Sequence, residues 1–393
     1  MKKKPLFAPW PFYNKAEIRA ATDVLRSGKV NQWTGKEVFS FEREYARYLD
    51  VPYAVALANG SVALDLALSA LGIGPGDDVI VPSRSFVASA SCVALRGGTP
   101  VFADINRESQ NITVETVSRV YTRRTKAIIA VHLAGWPCEL AALRKFCDTK
   151  GIFLIEDCAQ AHGAKYNDKP VGAWGDVSCF SFCQDKIITT AGEGGLLATN
   201  NKKIWQKVWS VKDHGRDFKI MRSRKESGRF VWAVADFGSN YRMTEMQAAI
   251  GRSMLAGLDA MVAKRRRLSD ILTEGFRSLP QLRVTEPGRD FFHSYYKYYV
   301  FIRPRELATG LSRDTIVRKL QAQGIPCGSG VCPEIYREKA FVAFRKRQGR
   351  TRHPRFPVAH ELGLTSLMFP VHPTLSENAM AFILKEINRL LKS

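Results

Sequence analysis

The segment Ser181-Phe182-Cys183-Gln184-Asp185-Lys186-Ile187-Ile188-Thr189-Thr190-Ala191-Gly192-Glu193-Gly194-Gly195 sets one lysine among small, apolar and hydroxyl residues, with a glycine-rich turn directly after it. Most other lysines of the chain fall in charged, solvated runs. A lysine taken out of water loses proton affinity and becomes a nucleophilic amine, the form that Schiff-base chemistry requires. A buried or salt-bridged structural lysine is the plain alternative. A second stretch, Leu154-Ile155-Glu156-Asp157-Cys158-Ala159-Gln160-Ala161-His162-Gly163, runs from apolar residues straight into two carboxylates. Successive strand residues face opposite ways, so Glu156 and Asp157 cannot both serve one site. An acid at the end of a buried strand is costly unless a cation pairs with it. A structural ion pair or a helix cap would account for it equally.

Two further positions could meet a ligand. In Asn59-Gly60-Ser61, Gly60 lets the backbone approach an anion, and Ser61 offers a hydroxyl beside the free N–H groups of a helical first turn. An ordinary N-cap reads the same way. In Pro82-Ser83-Arg84-Ser85-Phe86, the aromatic either packs in the core or lies flat on a bound ring. The seven histidines are dispersed, and no His, Cys and Asp cluster has ligand spacing, so no metal site is expected.

These residues need elements to hold them. Apolar runs at Tyr53–Leu57, 79–81, 101–102, Ala127–Val131 and Ile152–Ile155 alternate with helical stretches at Val62–Leu71, Ser85–Leu95, 113–121 and 138–149. Such alternation predicts an α/β fold with a mostly parallel sheet covered on both faces, whose ligands collect at the carboxyl ends of the strands. Helices are expected before it, at 14–28 and 36–49. The Gly72-Ile73-Gly74-Pro75-Gly76 run precedes a strand and lacks an amide at Pro75, so it reads as a turn and not a dinucleotide fingerprint. After the lysine, the pattern predicts one long helix from about Thr244 to Phe276. A strand at Tyr295–Ile302 and helices at Thr315–Gln323 and Glu377–Leu391 should then form a smaller α+β unit.

The length of 393 residues suggests two domains, or one large domain with an appendage. At 45% hydrophobic the chain can bury a sizeable core. Its formal charge of +22 favours anionic partners without choosing among nucleic acid, acidic membrane surface and phosphorylated small molecules. The loop Arg345–Arg355 and Arg222-Ser223-Arg224-Lys225 are basic clusters that read first as solvated. Eight scattered cysteines, none in C-x-x-C spacing, fit reduced thiols. Pro5, Pro9 and Pro11 interrupt the apolar stretch near the N-terminus, so no signal peptide is expected. No run reaches the roughly 18 apolar residues of a membrane span. A cytoplasmic protein is expected.

With Asp157 and Lys186 both in view, the sequence resembles the DegT/StrS family of pyridoxal-phosphate-dependent nucleotide-sugar aminotransferases. The resemblance runs through Ala58-Asn59-Gly60-Ser61-Val62-Ala63-Leu64, Gly74–Pro82, Ser85-Phe86-Val87-Ala88, Glu156–Gly163, Gly175-Asp176 and the Lys186 loop. It continues through His214-Gly215, Asn240-Tyr241-Arg242-Met243-Thr244-Glu245 and Phe369-Pro370-Val371-His372-Pro373. It implies the type I fold of those enzymes, with a large domain at 1–250, a small α+β domain at 251–393 and a homodimer with shared active sites. By the same resemblance Lys186 would hold pyridoxal 5′-phosphate as a Schiff base, and Asp157 would pair with its ring nitrogen. Gln160 would contact the ring hydroxyl side and Phe86 the ring face. Gly60, Ser61 and Ser181 would hold the phosphate, with Asn240 reaching it from a neighbouring subunit. His162, His214, Tyr241, Arg242 and His372 would be substrate contacts. The implied reaction moves an amino group from an amino acid such as glutamate to a nucleotide-linked keto-sugar, for amino sugars of cell-surface polysaccharide or a glycosylated metabolite. A sugar dehydratase on the same cofactor is one alternative. A regulatory or nucleic-acid-binding relative without turnover is another. Two positions depart from the usual family pattern: Asn59-Gly60-Ser61 replaces Ser-Gly-Thr, and Cys183-Gln184-Asp185 stands before the lysine.

Overall fold

Apolar runs of about five residues, fully covered by helices, make the main strands of the computed structural model, which describes residues 5–223, 232–349 and 355–392. In chain order these are β1 (Tyr53–Leu57), β2 (Asp78–Pro82), β3 (Thr99–Ala103), β4 (Thr125–Val131) and β5 (Phe153–Asp157). The two-residue strands β6 (Lys165–Tyr166) and β7 (Lys169–Pro170) follow, then β8 (Val177–Ser181) and β9 (Gly195–Thr199). The C-terminal part adds β10 (Leu282–Arg283), β11 (Phe291–Phe292), β12 (Tyr298–Ile302) and β13 (Ser366–Phe369). The seven-stranded sheet has the order β1-β9-β8-β5-β4-β2-β3. Neighbours from β8 to β3 pair in parallel. β9 pairs antiparallel with both β8 and β1 and is the one strand of this sheet that runs against the rest. The carboxyl ends of β1, β2, β5 and β8 therefore open on the same edge, and each is followed within a few residues by one of the chemistry-bearing segments.

Two apolar cores hold the elements. One surrounds the seven-stranded sheet and draws in Tyr296, Phe341 and Leu362 from the C-terminal part. The other packs the helices Leu258–Arg277 and Glu377–Lys392 against the three-stranded sheet β10-β12-β13.

The single helix expected from about Thr244 to Phe276 is two helices. Glu245–Ala256 is capped by Thr244, and Leu258–Arg277 begins after Gly257, whose ψ of 2° breaks the helical run. A glycine there carries no side chain that would hold the turn in register. The strand expected from Tyr295 begins at Tyr298, because Tyr295 adopts a left-handed φ of 46°. Helices expected at 113–121 and Ser85–Leu95 are shorter, at Val114–Ser118 and Ala88–Leu95. Arg345, Lys346 and Arg347 end the helix Lys339–Arg347, while residues 350–354 lie outside the described residues, as do Arg224 and Lys225. All eight cysteines are unpaired. Among the described residues no helix is long and apolar enough to cross a membrane.

Candidate active site

Lys186 sits in the turn between β8 and β9, half-buried. Its backbone is fixed from two sides: its N–H donates to Cys183 O at 3.0 Å, and Trp10 Nε1 donates to its carbonyl at 2.9 Å. Its Nζ lies 3.6 Å from Asp185 Oδ1 and 5.0 Å from the ring centre of Tyr296. The Tyr296 hydroxyl also donates to Asp185. The amine thus projects into a cavity of about 660 Å³, which Asp157, Gln160, Gly60, Ser61, Ser181 and Phe86 also line.

The alternation at the end of β5 sends its two acids to opposite faces. Glu156 is fully buried and accepts N–H groups from Gly172, Trp174 and Gly175 at 2.6–2.8 Å, together with His132 Nε2 at 3.1 Å. Burial works to raise its pKa, but His132 and the backbone donors outweigh that and hold it below the usual carboxylate range. It is a structural staple. Cys158 lies close to His132 and Glu156, but His132 Nδ1 already accepts the Cys138 N–H at 3.0 Å. Burial pushes the Cys158 thiol well up, so this trio is a hydrogen-bonded core group and offers no deprotonated sulfur to an ion.

Asp157, on the other face, is 5% exposed and opens on the cavity. Its Oδ2 accepts from Ser89 Oγ at 2.7 Å and its Oδ1 from the Ala159 N–H at 3.1 Å. Burial raises its pKa above the ordinary 3.8, against those two hydrogen bonds and the more distant Lys186. Among the described residues no cation lies within ion-pair distance of it. A buried carboxylate of this kind, lining an open cavity, calls for a cationic ligand group.

The anion cradle comes from two elements in close approach. The amides of Gly60 and Ser61, in the first turn of helix Gly60–Ala70, have no partner within that helix. A Cβ added at Gly60 would lie 2.7 Å from Ser181 Cβ, and one added at Gly195 would lie 2.2 Å from Asn59 O. Only glycine lets β1, β8 and β9 bring these groups together. Gln160 gives its carbonyl oxygen to the Ala134 N–H at 2.8 Å, which leaves its NH₂ end for a ligand. Phe86 is 61% exposed at the cavity wall, a flat apolar face with open space beside it. A phosphate-bearing aromatic ring with a protonatable nitrogen fits this donor set.

The remaining expected contacts lie elsewhere. His162 has exposure of 0%, and both ring nitrogens are engaged, Nδ1 with Tyr45 Oη at 2.7 Å and Nε2 with Ser181 O at 2.8 Å. Burial drops its pKa to about 3, so the ring is neutral. It steadies Ser181 and has no nitrogen left for a substrate, a correction to the expectation. His372 stacks on Trp10 at 6.0 Å and meets Thr374 Oγ1 at 2.7 Å; burial likewise lowers it to about 3. His214, Tyr241 and Arg242 do not line the cavity, and Arg242 is paired with Asp213. Asn240 is exposed on the surface of its own chain, away from this cavity. Conversely, Tyr296, Lys297, Tyr299 and Met368 line the cavity and escaped the sequence reading. A lone lysine inside the aromatic run Tyr295-Tyr296-Lys297-Tyr298-Tyr299 was the signal available.

Fold and site together define an enzyme of the aminotransferase class. The chain belongs to the DegT/DnrJ/EryC1/StrS aminotransferase family, which it matches over residues 11–388. An aminotransferase structure from Psychrobacter cryohalolentis superposes with a TM-score of 0.94 at 43% identity, covering 98% of both chains. The GDP-perosamine synthase of Escherichia coli O157:H7 is 34% identical over 90% of each chain. The dTDP-3-amino-3,4,6-trideoxy-alpha-D-glucose transaminase of Streptomyces venezuelae is 37% identical over 91% of this chain and 89% of its own.

Proposed function

We propose that the protein binds pyridoxal 5′-phosphate at Lys186 and transfers an amino group from an amino acid, glutamate foremost, to a keto-sugar carried on a nucleotide. The observation that carries the reading is one cavity walled by an amine at Lys186, a cation-seeking carboxylate at Asp157 and a glycine-tight anion cradle at Gly60, Ser61 and Ser181. The names of its relatives, which are nucleotide-sugar transaminases, support the sugar substrate. When bound, pyridoxal phosphate supplies an aldehyde for amine exchange and a ring that withdraws electrons. The protein does the rest. Asp157 keeps a ring nitrogen protonated, and Ser89 and the Ala159 amide fix the carboxylate that does so. Gly60, Ser61 and Ser181 anchor the phosphate. Phe86 covers the ring face and Gln160 donates to the ring hydroxyl side. Lys186 would tether the cofactor through Nζ, and the same Nζ would serve as the base that moves the proton of the substrate carbon. Asp185 stands by to stabilise the ammonium that Lys186 then becomes. A lysine at this position favours amine exchange over dehydration, because it serves both as tether and as base.

The reading includes a homodimer. Trp232 and Phe237 are 85% and 97% exposed on the segment that carries Asn240, which suits a face covered by a second copy. Asn240 would then reach the phosphate of the neighbouring site.

Incubating the holoenzyme with L-glutamate and a panel of nucleotide keto-sugars should yield 2-oxoglutarate and an amino sugar in equal amounts. Lys186→Ala should fold, bind the cofactor without a covalent link and lose turnover by at least about 10³-fold. Normal turnover in that variant would overturn the assignment.

A further inference from the structure

We propose that Lys297, backed by the buried Arg265, forms an anion subsite in the wall of this cavity that takes a carboxylate of the amino-acid donor. The proposal rests on the amine-exchange reading above and gives it a donor contact. Lys297 lines the same cavity as Lys186, and its Nζ lies 4.8 Å from the centre of the Tyr296 ring, the ring that Lys186 Nζ approaches at 5.0 Å. The two amines therefore share one aromatic neighbour. They do not share the acid in the same way. Asp185 accepts from Tyr296 and lies 3.6 Å from Lys186, whereas among the described residues no carboxylate lies within ion-pair distance of Lys297.

Arg265 deepens the imbalance. It stands in the four-cation run Lys264-Arg265-Arg266-Arg267 of helix Leu258–Arg277, yet it is 1% exposed. Its Nη1 donates to the carbonyls of Tyr295 and Tyr296 at 3.5 and 3.2 Å, and its guanidinium lies 5.4 Å from the Trp10 ring. Among the described residues its Nε and Nη2 have no hydrogen-bond partner. Burial pulls its pKa down to about 9, and Tyr296 and Asp185 act against that without pairing with it. Burial also lowers Lys297; Asp185 opposes that shift, while Arg265 and Lys186 add to it. His372 and His162, the titratable rings nearby, are neutral and supply no countercharge. Lys186, Lys297 and Arg265 thus gather about one acid, Asp185, while among the described residues the cavity's other carboxylates, Asp157 and Glu193, lie beyond ion-pair distance of all three. A cation cluster of this kind is relieved by an incoming anion.

The chemistry says which anion. A donor must put its amine at Lys186, and its carboxylates are joined to that amine by only a few bonds. Among the described residues Lys297 is the cavity's other cationic lining residue, and it is not the group that tethers the cofactor in the proposed reaction. A diphosphate of the acceptor is joined to the keto carbon through the whole sugar ring, which sets it further from the amine at Lys186 than a donor's carboxylates.

Lys297→Gln and Lys297→Arg holoenzymes test this with the two half-reactions followed separately by single-turnover absorbance. Lys297→Gln should raise the half-saturating L-glutamate concentration by about 10- to 100-fold, the factor expected for one charge-assisted contact. It should leave the keto-sugar half-reaction in place, and Lys297→Arg should restore most of the loss. Calorimetric binding of glutarate, a dicarboxylate with no amine, should weaken by a similar factor without depending on turnover. A loss with L-glutamate but not L-glutamine assigns the side-chain carboxylate, and an equal loss with both assigns the α-carboxylate. Unchanged donor saturation and glutarate binding would overturn the proposal, as would a loss confined to the keto-sugar or a general loss with lowered Tm. A wild-type enzyme that exchanges no amine would sink the functional reading instead and leave the glutarate titration to decide the subsite.

Discussion

At the scale of single residues, the contrast between Glu156 and Asp157 shows how one strand end separates structure from chemistry. Both carboxylates are buried, but one is surrounded by donors and the other faces a cavity. The consequences for pH are opposite in sign. Glu156 has a depressed pKa, so its contribution is present above its ordinary 4.5 and is lost as pH falls through the folded value. Glu156→Gln should therefore destabilise the protein by about 3 kcal/mol at pH 7, a deficit that narrows in acid as wild type loses the same contribution. Denaturant unfolding at pH 7 and pH 4 checks this. Asp157 has a raised pKa, so its ionised form is a burden on the cofactor-free protein above that pKa, relieved as pH falls through it. Asp157→Asn should leave the cofactor-free Tm at pH 7 unchanged or higher. It should remove most of the stabilisation on adding pyridoxal phosphate and lower turnover on the order of 10²–10³-fold. A large fall in the cofactor-free Tm would show Asp157 to be a structural acid and would remove it from the site.

At the scale of elements, the site depends on how closely helix Gly60–Ala70 approaches β8. In an exposed helix, Gly→Ala would add roughly 1 kcal/mol. Here the new methyl would meet Ser181 Cβ at 2.7 Å and Oγ at 3.2 Å, atoms tied to a central strand that cannot swing away. Gly60→Ala should instead cost about 1–3 kcal/mol and weaken pyridoxal phosphate binding by about 10- to 100-fold, read from Tm and a fluorescence titration. A variant as stable and as tight as wild type would refute the cradle. This approach also marks the limit of what the sequence discloses. Gly60 and Asp157 were legible because each stands at the end of an expected strand, Lys186 stood out by its apolar and hydroxyl surroundings, and Gln160 and Ser181 were named through the family resemblance; one cavity gathers all five. Tyr296 and Lys297 were not, because they come from a distant segment that reaches the cavity only by tertiary packing, and a left-handed turn at Tyr295 delays the strand. Arg265 was not legible for a related reason: nothing local to the run Lys264-Arg265-Arg266-Arg267 says that Trp10 and the carbonyls of Tyr295 and Tyr296 will cover one of its four cations. The break at Gly257 was not legible, because Gly251 and Gly275 stand in the same stretch and stay helical.

At the scale of the whole molecule, the chain carries +22 and yet exposes a set of large apolar side chains on one segment, Trp232, Val234 and Phe237. Bridges pairing Arg216 with Val234 and Asp213 with Asn240 pin that segment to the body, so it presents these side chains as a fixed surface. Asn240 is exposed just beyond them and takes no part in the cavity of its own chain. The proposed homodimer would account for both facts: a second copy would cover the apolar segment, and the asparagine would enter the copy's cavity. Burying a phenylalanine from near-complete exposure is worth about 1.5–3 kcal/mol, and placing a charge there reverses the sign. Phe237→Asp should therefore shift the protein from about twice the 44.0 kDa chain mass towards that mass in light scattering, with unchanged far-ultraviolet circular dichroism. Turnover should fall with the dimer fraction and recover at higher protein concentration, because a shared site is restored by mass action. An Asn240→Ala enzyme should remain dimeric and bind pyridoxal phosphate about 10-fold less tightly, the loss expected for one hydrogen bond to a charged group. A fully active Phe237→Asp monomer would mean that each chain completes its own site, and Asn240 would then have no part in holding the phosphate.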